Sequence, residues 1–290
     1  MPGSGFSART RITPAKWSAV RAAVADMGVR FGTLVQAGDP QAAATADWTV
    51  ADTAAHVAAM AWCYTALATS PDTALPVDGI AELVPITTVE NIHGVINDAL
   101  KRNYPERDPA KVVWRLQQSV TELLAITADA DPERTVSWLG GSRLPLAGLL
   151  AHLTNEMLIH GRDIARVLHE PWPMPQEYSA LFFELFMVEI IRNGVGNVLD
   201  DDRPIRRGRI AVEFRSAHTE PVTLVLDTGT VTAEEPGGRT DVRLRFQPVM
   251  LGLVLFHRVG RPRAALTGAL RVWGRRPWLL PAFLRKVRLP

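Results

Sequence analysis

Residues 149–170, LLAHLTNEMLIHGRDIARVLHE, set a polar row inside an apolar frame. His152, Glu156, His160 and Asp163 follow one another at spacings of four, four and three. Side chains three or four apart share one face of an α-helix. Most other positions are Leu, Ile, Ala, Val or Met, so the spacing predicts a helix packed inside the protein. Its polar row must meet water or something else that needs nitrogen and oxygen donors. Such a helix needs partners on several sides, and the flanking sequence supplies them.

Upstream, Thr13-Pro14 is an N-cap followed by proline at the first helical position, and a helical pattern runs to about Val35. In DWTVADTAAHVAAMAWCYTALA (47–68), Thr49 and Asp52 form a capping-box pattern. This helix is apolar nearly all round and belongs in the middle of a bundle. TTVENIHGVINDALKRNY (87–104) opens on Thr87 and Glu90, another capping-box pattern, and the stretch from 108 to 127 opens on Asp108-Pro109. Gly140-Gly141 marks a turn before Pro145 starts the central helix. A proline-rich break, EPWPMP (170–175), precedes a further helix predicted from about Pro175 to Leu199. Successive helices with moderate loops imply an up-and-down bundle of four core helices plus extras.

The pattern changes at LDDDRPIRRGR (199–209). RIAVEF, PVTLVLD, GTVTAEE and DVRLRFQ show β-branched enrichment and period-two alternation, with Thr228-Gly229 as a hairpin turn. Helical signals return at 248–260 and in the last fifteen residues. The second part therefore reads as a small α+β unit, an antiparallel sheet with helices on one face. Expected units are 10–202 and 203–290. Charge follows the same division: residues 1–202 hold 15 Lys/Arg and 24 Asp/Glu, and residues 203–290 hold 17 and 6. An apolar content of 47% is that of a globular chain with a sizeable core. Each half can build its own core, which is compatible with a monomer. No uncharged apolar run approaches the roughly 18 residues of a membrane span. The N-terminal stretch lacks the apolar segment of a secretory signal. The one cysteine, Cys63, excludes an internal disulfide and fits a reducing, cytoplasmic setting.

His152, Glu156 and His160 fall within about 80° around the helix, and Glu156 with His160 is the sharper pair. One turn apart, they can hold a metal ion from two sides. The third ligand must come from elsewhere, and His56, flanked by alanines in an apolar helix, has little other reason to be there. Two imidazoles and a carboxylate suit a catalytic zinc site with open positions, and equally the facial triad of non-haem iron. Taken by itself, Glu156–His160 is also the pattern of an i,i+4 surface pair worth a few tenths of a kcal/mol.

Two motifs carry a resemblance. Trp48, Asp52 and His56 in DWTVADTAAHVAAM fill the pattern W-[ST]-V-x-D-x-x-x-H-[VL]. Glu156, His160 and Asp163 in NEMLIHGRDIARVLHE fill E-x-x-x-H-x-x-D-[IL]-A. Both resemble the DinB-like N-terminal domain of the mycothiol-dependent maleylpyruvate isomerase family. The basic tail is similar to the sterol-carrier-like domain often fused behind it, with LTGALRVWGRRPWLLPAFL (266–284) echoing a Gly-rich strand that feeds a final helix. The resemblance implies a four-helix bundle holding a divalent metal, usually zinc, on His56, Glu156 and His160. It also implies mycothiol as thiol cosubstrate in an actinobacterial setting.

On that reading the chain is a metal-dependent, thiol-using transferase or isomerase acting on a small electrophile. Thiols have a pKa near about 8.5, and coordination to a dication deprotonates them. Asp163 is the candidate for orienting a ligand imidazole through its far N–H. Its alternative is an ordinary pair with Arg162 or Arg166. Electrophile carboxylates want cations, which the arginine-rich second half can offer, though no single arginine stands out. His152 is outside the family pattern, Trp48 and Asp52 read as packing and cap, and Cys63 as a buried structural thiol. His93, His169, His218 and His257 match no ligand spacing. The alternative function is a lipid or apolar small-molecule binder using the C-terminal unit, whose tail mixes Trp, Leu and Phe with Arg and Lys as membrane-interface segments do. No nucleic-acid-binding motif is present.

Overall fold

The computed structural model describes residues 12–70, 73–205 and 207–288. The residues read above for a secretory signal, the first residues of the 10–202 unit and the end of the tail lie outside the described residues. Helix α1 spans Pro14–Ala37, with the Thr13 hydroxyl accepting from Lys16 N–H. Helix α2 spans Val50–Thr69 and carries both halves of the Thr49–Asp52 capping box. The segment expected to form a helix from Thr87 does so only late. A 3-10 turn at Val84–Ile86 and a π-helical turn at His93–Asn97 lead into the short α3, Asp98–Asn103. Here Asn91, not Thr87, makes the cap-like contact, its Oδ1 accepting from Thr88 N–H at 2.8 Å. Glu90 is drawn instead to Arg203, at 2.9 Å, and to Arg288.

Helix α4 spans Pro109–Ile126, capped by Asp108. A hairpin of β1 (Thr135–Ser137) and β2 (Arg143–Pro145) turns around Gly140 and Gly141, both at positive φ. Helix α5 spans Leu146–Leu168, and Pro145 is its N-cap. The next helical stretch comprises α6 (Gln176–Leu181), a π-helical segment Phe182–Val188, and α7 (Glu189–Asn193). It stops before Leu199 because the chain must fold back onto the 140–141 turn. Gly196, at φ 51°, makes that approach possible: a Cβ there would lie 2.3 Å from the Gly140 carbonyl oxygen.

The four long helices pack around one apolar core. Helix α1 packs against α4 and α5, α2 packs against the same pair, and α1 and α2 barely meet. Of the consecutive long helices only α2 and α4 pack closely, unlike the simplest up-and-down order in which every consecutive pair does. The links between α1 and α2 and between α4 and α5 are long enough to cross over.

The remaining strands are β3 (Arg209–Arg215), β4 (Val222–Asp227), β5 (Thr230–Glu234), β6 (Val242–Phe246) and β7 (Leu270–Trp273). They form one sheet in the order β5-β4-β3-β6-β7. Thr228 and Gly229, both at positive φ, make the tight β4–β5 turn. The sheet is not wholly antiparallel as expected: β3 and β6 run parallel, because the chain leaves β5 at one edge and returns on the far side of β3. Helices α8 (Pro248–Leu255), α9 (Arg261–Leu266) and α10 (Leu280–Lys286) complete the described chain. Phe183 of the π-helical segment packs on Phe214 of β3 and Phe246 of β6, with ring centroids 5.4 and 4.8 Å away. Helical and sheet parts thus share an aromatic core.

Asp241 ties the sheet to the C-terminal segment. It is 2% exposed, accepts from Ala211 N–H at 3.1 Å and from Arg276 Nε at 2.9 Å. Burial pushes its carboxyl up, but Arg276 and the backbone N–H outweigh that and hold it below the usual carboxylate range. A depressed folded value means the interaction stabilises fully above the unfolded carboxylate pKa and is lost as pH falls through the folded one. Asp241→Asn should cost about 1–3 kcal/mol at pH 7, discounted for the half-exposed guanidinium. Denaturant unfolding should show the gap from the parent closing at strongly acidic pH; a gap independent of pH would exclude this origin.

Candidate metal centre

The capping box at the start of α2 fixes where His56 emerges, two turns into the helix. Helix α5 presents Glu156 and His160 one turn apart on the face turned toward α2. The structure brings the three together: one donor atom from each lies within 4.8 Å of the others. His160 Nε2 is 3.3 Å and His56 Nε2 3.7 Å from Glu156 Oε2. His56 and Glu156 are each 9% exposed. Trp48, just before the α2 cap, flanks both imidazoles, with ring centroids 4.8 Å from His56 and 6.0 Å from His160.

These residues fit a divalent cation. Burial lowers the His56 pKa, with Glu156 pulling the other way, so the neutral imidazole wins. Burial pushes the Glu156 carboxyl up, yet the flanking His160 and His56 hold it well below the usual carboxylate range. An anion therefore stands in a nearly closed space. Among the described residues only histidines pair with it, and no lysine or arginine does. Both Nε2–O separations exceed the roughly 2.7–3.2 Å of a good N–H···O bond. Nε2 atoms and a carboxylate oxygen that converge without closing on each other leave the middle for a cation. The two Nδ1 atoms are buried without a hydrogen-bond partner.

Asp163 does not supply that partner. Its Oδ2 is 3.9 Å from His160 Nδ1, beyond hydrogen-bond reach. The carboxylate closes instead on Arg258, from the segment after α8, with Nη2–Oδ2 2.6 Å and Nε–Oδ2 3.1 Å. Arg162 is 3.8 Å away, and neither it nor Arg166 is the main partner. A two-pronged guanidinium contact prevails over the imidazole because it offers two aligned donors. His257, at φ 58°, turns the chain so that Arg258 comes back over α5, and Arg258 Nη1 donates to the Phe256 carbonyl. This arginine had no sequence signal, since 95 residues separate it from Asp163.

His152 is not idle either. Its Nδ1 is 2.9 Å from Tyr64 Oη, and Trp138 Nε1 donates to that same oxygen at 3.1 Å. An indole nitrogen can only donate, so the single phenolic proton is left for His152 Nδ1. Neutral His152, kept so by burial, then carries its proton on Nε2, which faces Glu156 Oε1 at 3.6 Å. In this tautomer the Nε2–H is turned toward Glu156 from beyond hydrogen-bond distance. Its place on the polar row was visible in the sequence; Tyr64, two turns beyond His56, was not singled out. Cys63 is buried, and burial pushes its thiol up to about 12.

The row opens into a cavity of about 620 Å³, walled on one flank by α5 and along its length by α2. Arg162, Arg166 and Arg258 line it beside Asp163, and residues between 80 and 100, mostly apolar, line it as well. Tyr64→Phe keeps the ring and removes only the relay hydroxyl. Competitive chelator titration should show metal affinity falling about tenfold, with stoichiometry unchanged. Loss of stoichiometry would instead identify His152 as a ligand.

The family described as the mycothiol maleylpyruvate isomerase N-terminal domain matches residues 17–165, which include all three converging residues. No curated protein matches the chain. Among solved structures, those of the mycothiol-dependent maleylpyruvate isomerase and of its histidine-to-alanine mutant are similar at 13% identity. Each comparison covers 82% of this chain and 87% of the other, with TM-scores of 0.44 and 0.46 respectively. With the match spanning half of its length, the chain belongs to the mycothiol maleylpyruvate isomerase N-terminal domain family.

Proposed function

We propose that this protein is a metal-dependent enzyme that uses a low-molecular-weight thiol, mycothiol, to isomerise or S-conjugate a small electrophile. The observation that carries the reading is the convergence of His56, Glu156 and His160 at one end of a large cavity. In this reading His56 and His160 present Nε2, and Glu156 presents Oε2, to a divalent ion, with zinc favoured by two imidazoles and a carboxylate. A dication held there would supply the Lewis acidity that converts a thiol at its open side to thiolate at neutral pH.

The chain's own residues do the rest. Tyr64 holds the His152 ring beside Glu156, whose Oε2 faces His56 and His160. Trp48 and the apolar walls exclude water from the nucleophile. Arg258 commits three of its five N–H donors to Asp163 and to the Phe256 carbonyl, which leaves two for an anionic group on the electrophile. Addition of the thiolate to a conjugated alkene forms a C–S bond and moves the π pair onto the conjugated carbonyl. Rotation about the new single bond and loss of the thiolate give the isomer; protonation at carbon gives the conjugate.

In the same reading, residues 10–202 form a DinB-like helical unit and 203–290 a sterol-carrier-like unit that supplies Arg258. No helix among the described residues is long and apolar enough to cross a membrane. A thiol cosubstrate and a single reduced cysteine suit work in the cytoplasm. Exposed Leu266, Trp273 and Trp278 favour contact of the second unit with a membrane surface. A second reading, carriage of an apolar small molecule, draws support from the apolar cavity wall, although that wall belongs mainly to the helical part.

Elemental analysis of purified protein should find about one equivalent of a divalent metal, and His56→Ala should lose most of it. Thiol consumption with an electrophile panel should disappear with the metal. Full metal content in His56→Ala would sink the reading. Arg258→Met should keep its metal and lower kcat/KM for anionic electrophiles by about 10–100-fold; an equal loss with neutral electrophiles would remove its assigned role.

A further inference from the structure

We infer, resting on the thiol-using reading above, that the organic ligand of this cavity is an amphiphilic monoanion, a single carboxylate on a hydrocarbon body, and not a dianion with a carboxylate at each end. The cavity has a direction. His56 of α2 meets Glu156 and His160, while Tyr64, further along α2, meets His152, earlier in α5. The two helices therefore run in opposite senses along the cavity. Arg162 and Arg166, beyond His160 in the chain, lie toward the His56 end. Cys63 and Leu67, which also line the space, lie toward the other end. From His56 to Leu67 the helix advances roughly 16 Å.

The two ends differ in chemistry. Cationic groups gather at the first, where Arg258 keeps two N–H donors free. Toward the Tyr64–His152 end the lining is apolar: Leu67, Leu139 and Phe186, whose ring lies 4.5 Å from His152 and 5.1 Å from Trp138. The remaining lining arginine, Arg288, is already closed on Asp201 at 3.1 Å and on Glu90. A second carboxylate carried away from the His56 end would lose its water with no unengaged cation to replace it. A hydrocarbon body there removes apolar wall from water instead, and each buried methylene strengthens binding by up to about fourfold.

The shared chemistry covers a reactive unsaturated acid and a carried fatty acid, and one set of titrations separates them. Calorimetry of the metal-loaded protein, with no thiol present, compares butanoate, octanoate, decanoate and the dianion sebacate. Affinity should rise with each added methylene, and decanoate should bind at least about tenfold more tightly than sebacate. Leu67→Trp, which fills the end remote from His56, should cancel the gain from octanoate to decanoate and leave butanoate unchanged. Should Leu67→Trp fail to fold, Leu75→Trp on the same wall replaces it. Equal affinities along the series, or sebacate matching decanoate, overturn the inference. Thiol consumption with 4-oxo-2-decenoate then identifies the amphiphile as the electrophile. Binding of that acid without consumption refutes the enzymatic reading alone, and consumption only of compact dicarboxylates refutes the amphiphile alone.

Discussion

The Glu156 carboxylate lies nearly buried between His56, His152 and His160, and the rest of the arrangement answers to it. An ionised carboxylate out of water costs several kcal/mol unless charge or hydrogen bonds replace the lost hydration. The imidazoles replace part of it. Their nitrogens converge on the carboxylate at distances that are too long for strong hydrogen bonds and suited to a shared cation. Asp52 in the α2 cap, Trp48 beside the rings and the antiparallel run of α2 along α5 all serve to hold that convergence.

Around it, two side-chain systems divide the labour. Trp138, Tyr64 and His152 form a chain in which the donor-only indole favours a phenolic proton turned to His152 Nδ1. On the other side, Asp163 and Arg258 join the central helix to the segment beyond α8. The shared phenylalanine core between the π-helical segment and the sheet keeps that segment in register with α5. The basic half of the chain thereby contributes Arg258 to the lining of a cavity built mostly by residues of the first half.

Much of this was legible in the chain. The polar row on residues 149–170, the Thr49–Asp52 capping box, the prolines at helix starts and the alternating strands are local patterns, which sequence records directly. His56 was legible because an imidazole among alanines is costly without a partner. Other features were not. The parallel pairing of β3 with β6, the crossover order of the long helices and the broken helix at 87–103 depend on which elements meet. Glu90 matches a capping pattern yet goes to two arginines more than a hundred residues away. A local motif loses whenever a distant partner offers a stronger contact.

By itself the sequence determined most of the long elements, the central helix and its row of donors, because helical spacing of three and four is a one-dimensional property. It also determined the three residues able to share a cation, through residue type and an apolar frame. Only the tertiary structure decided that Asp163 faces Arg258 and not His160, that His152 meets Tyr64, and that arginines from distant segments line one cavity. Those outcomes depend on separations of a few ångströms between segments far apart in the chain, and no spacing rule along a single helix encodes them.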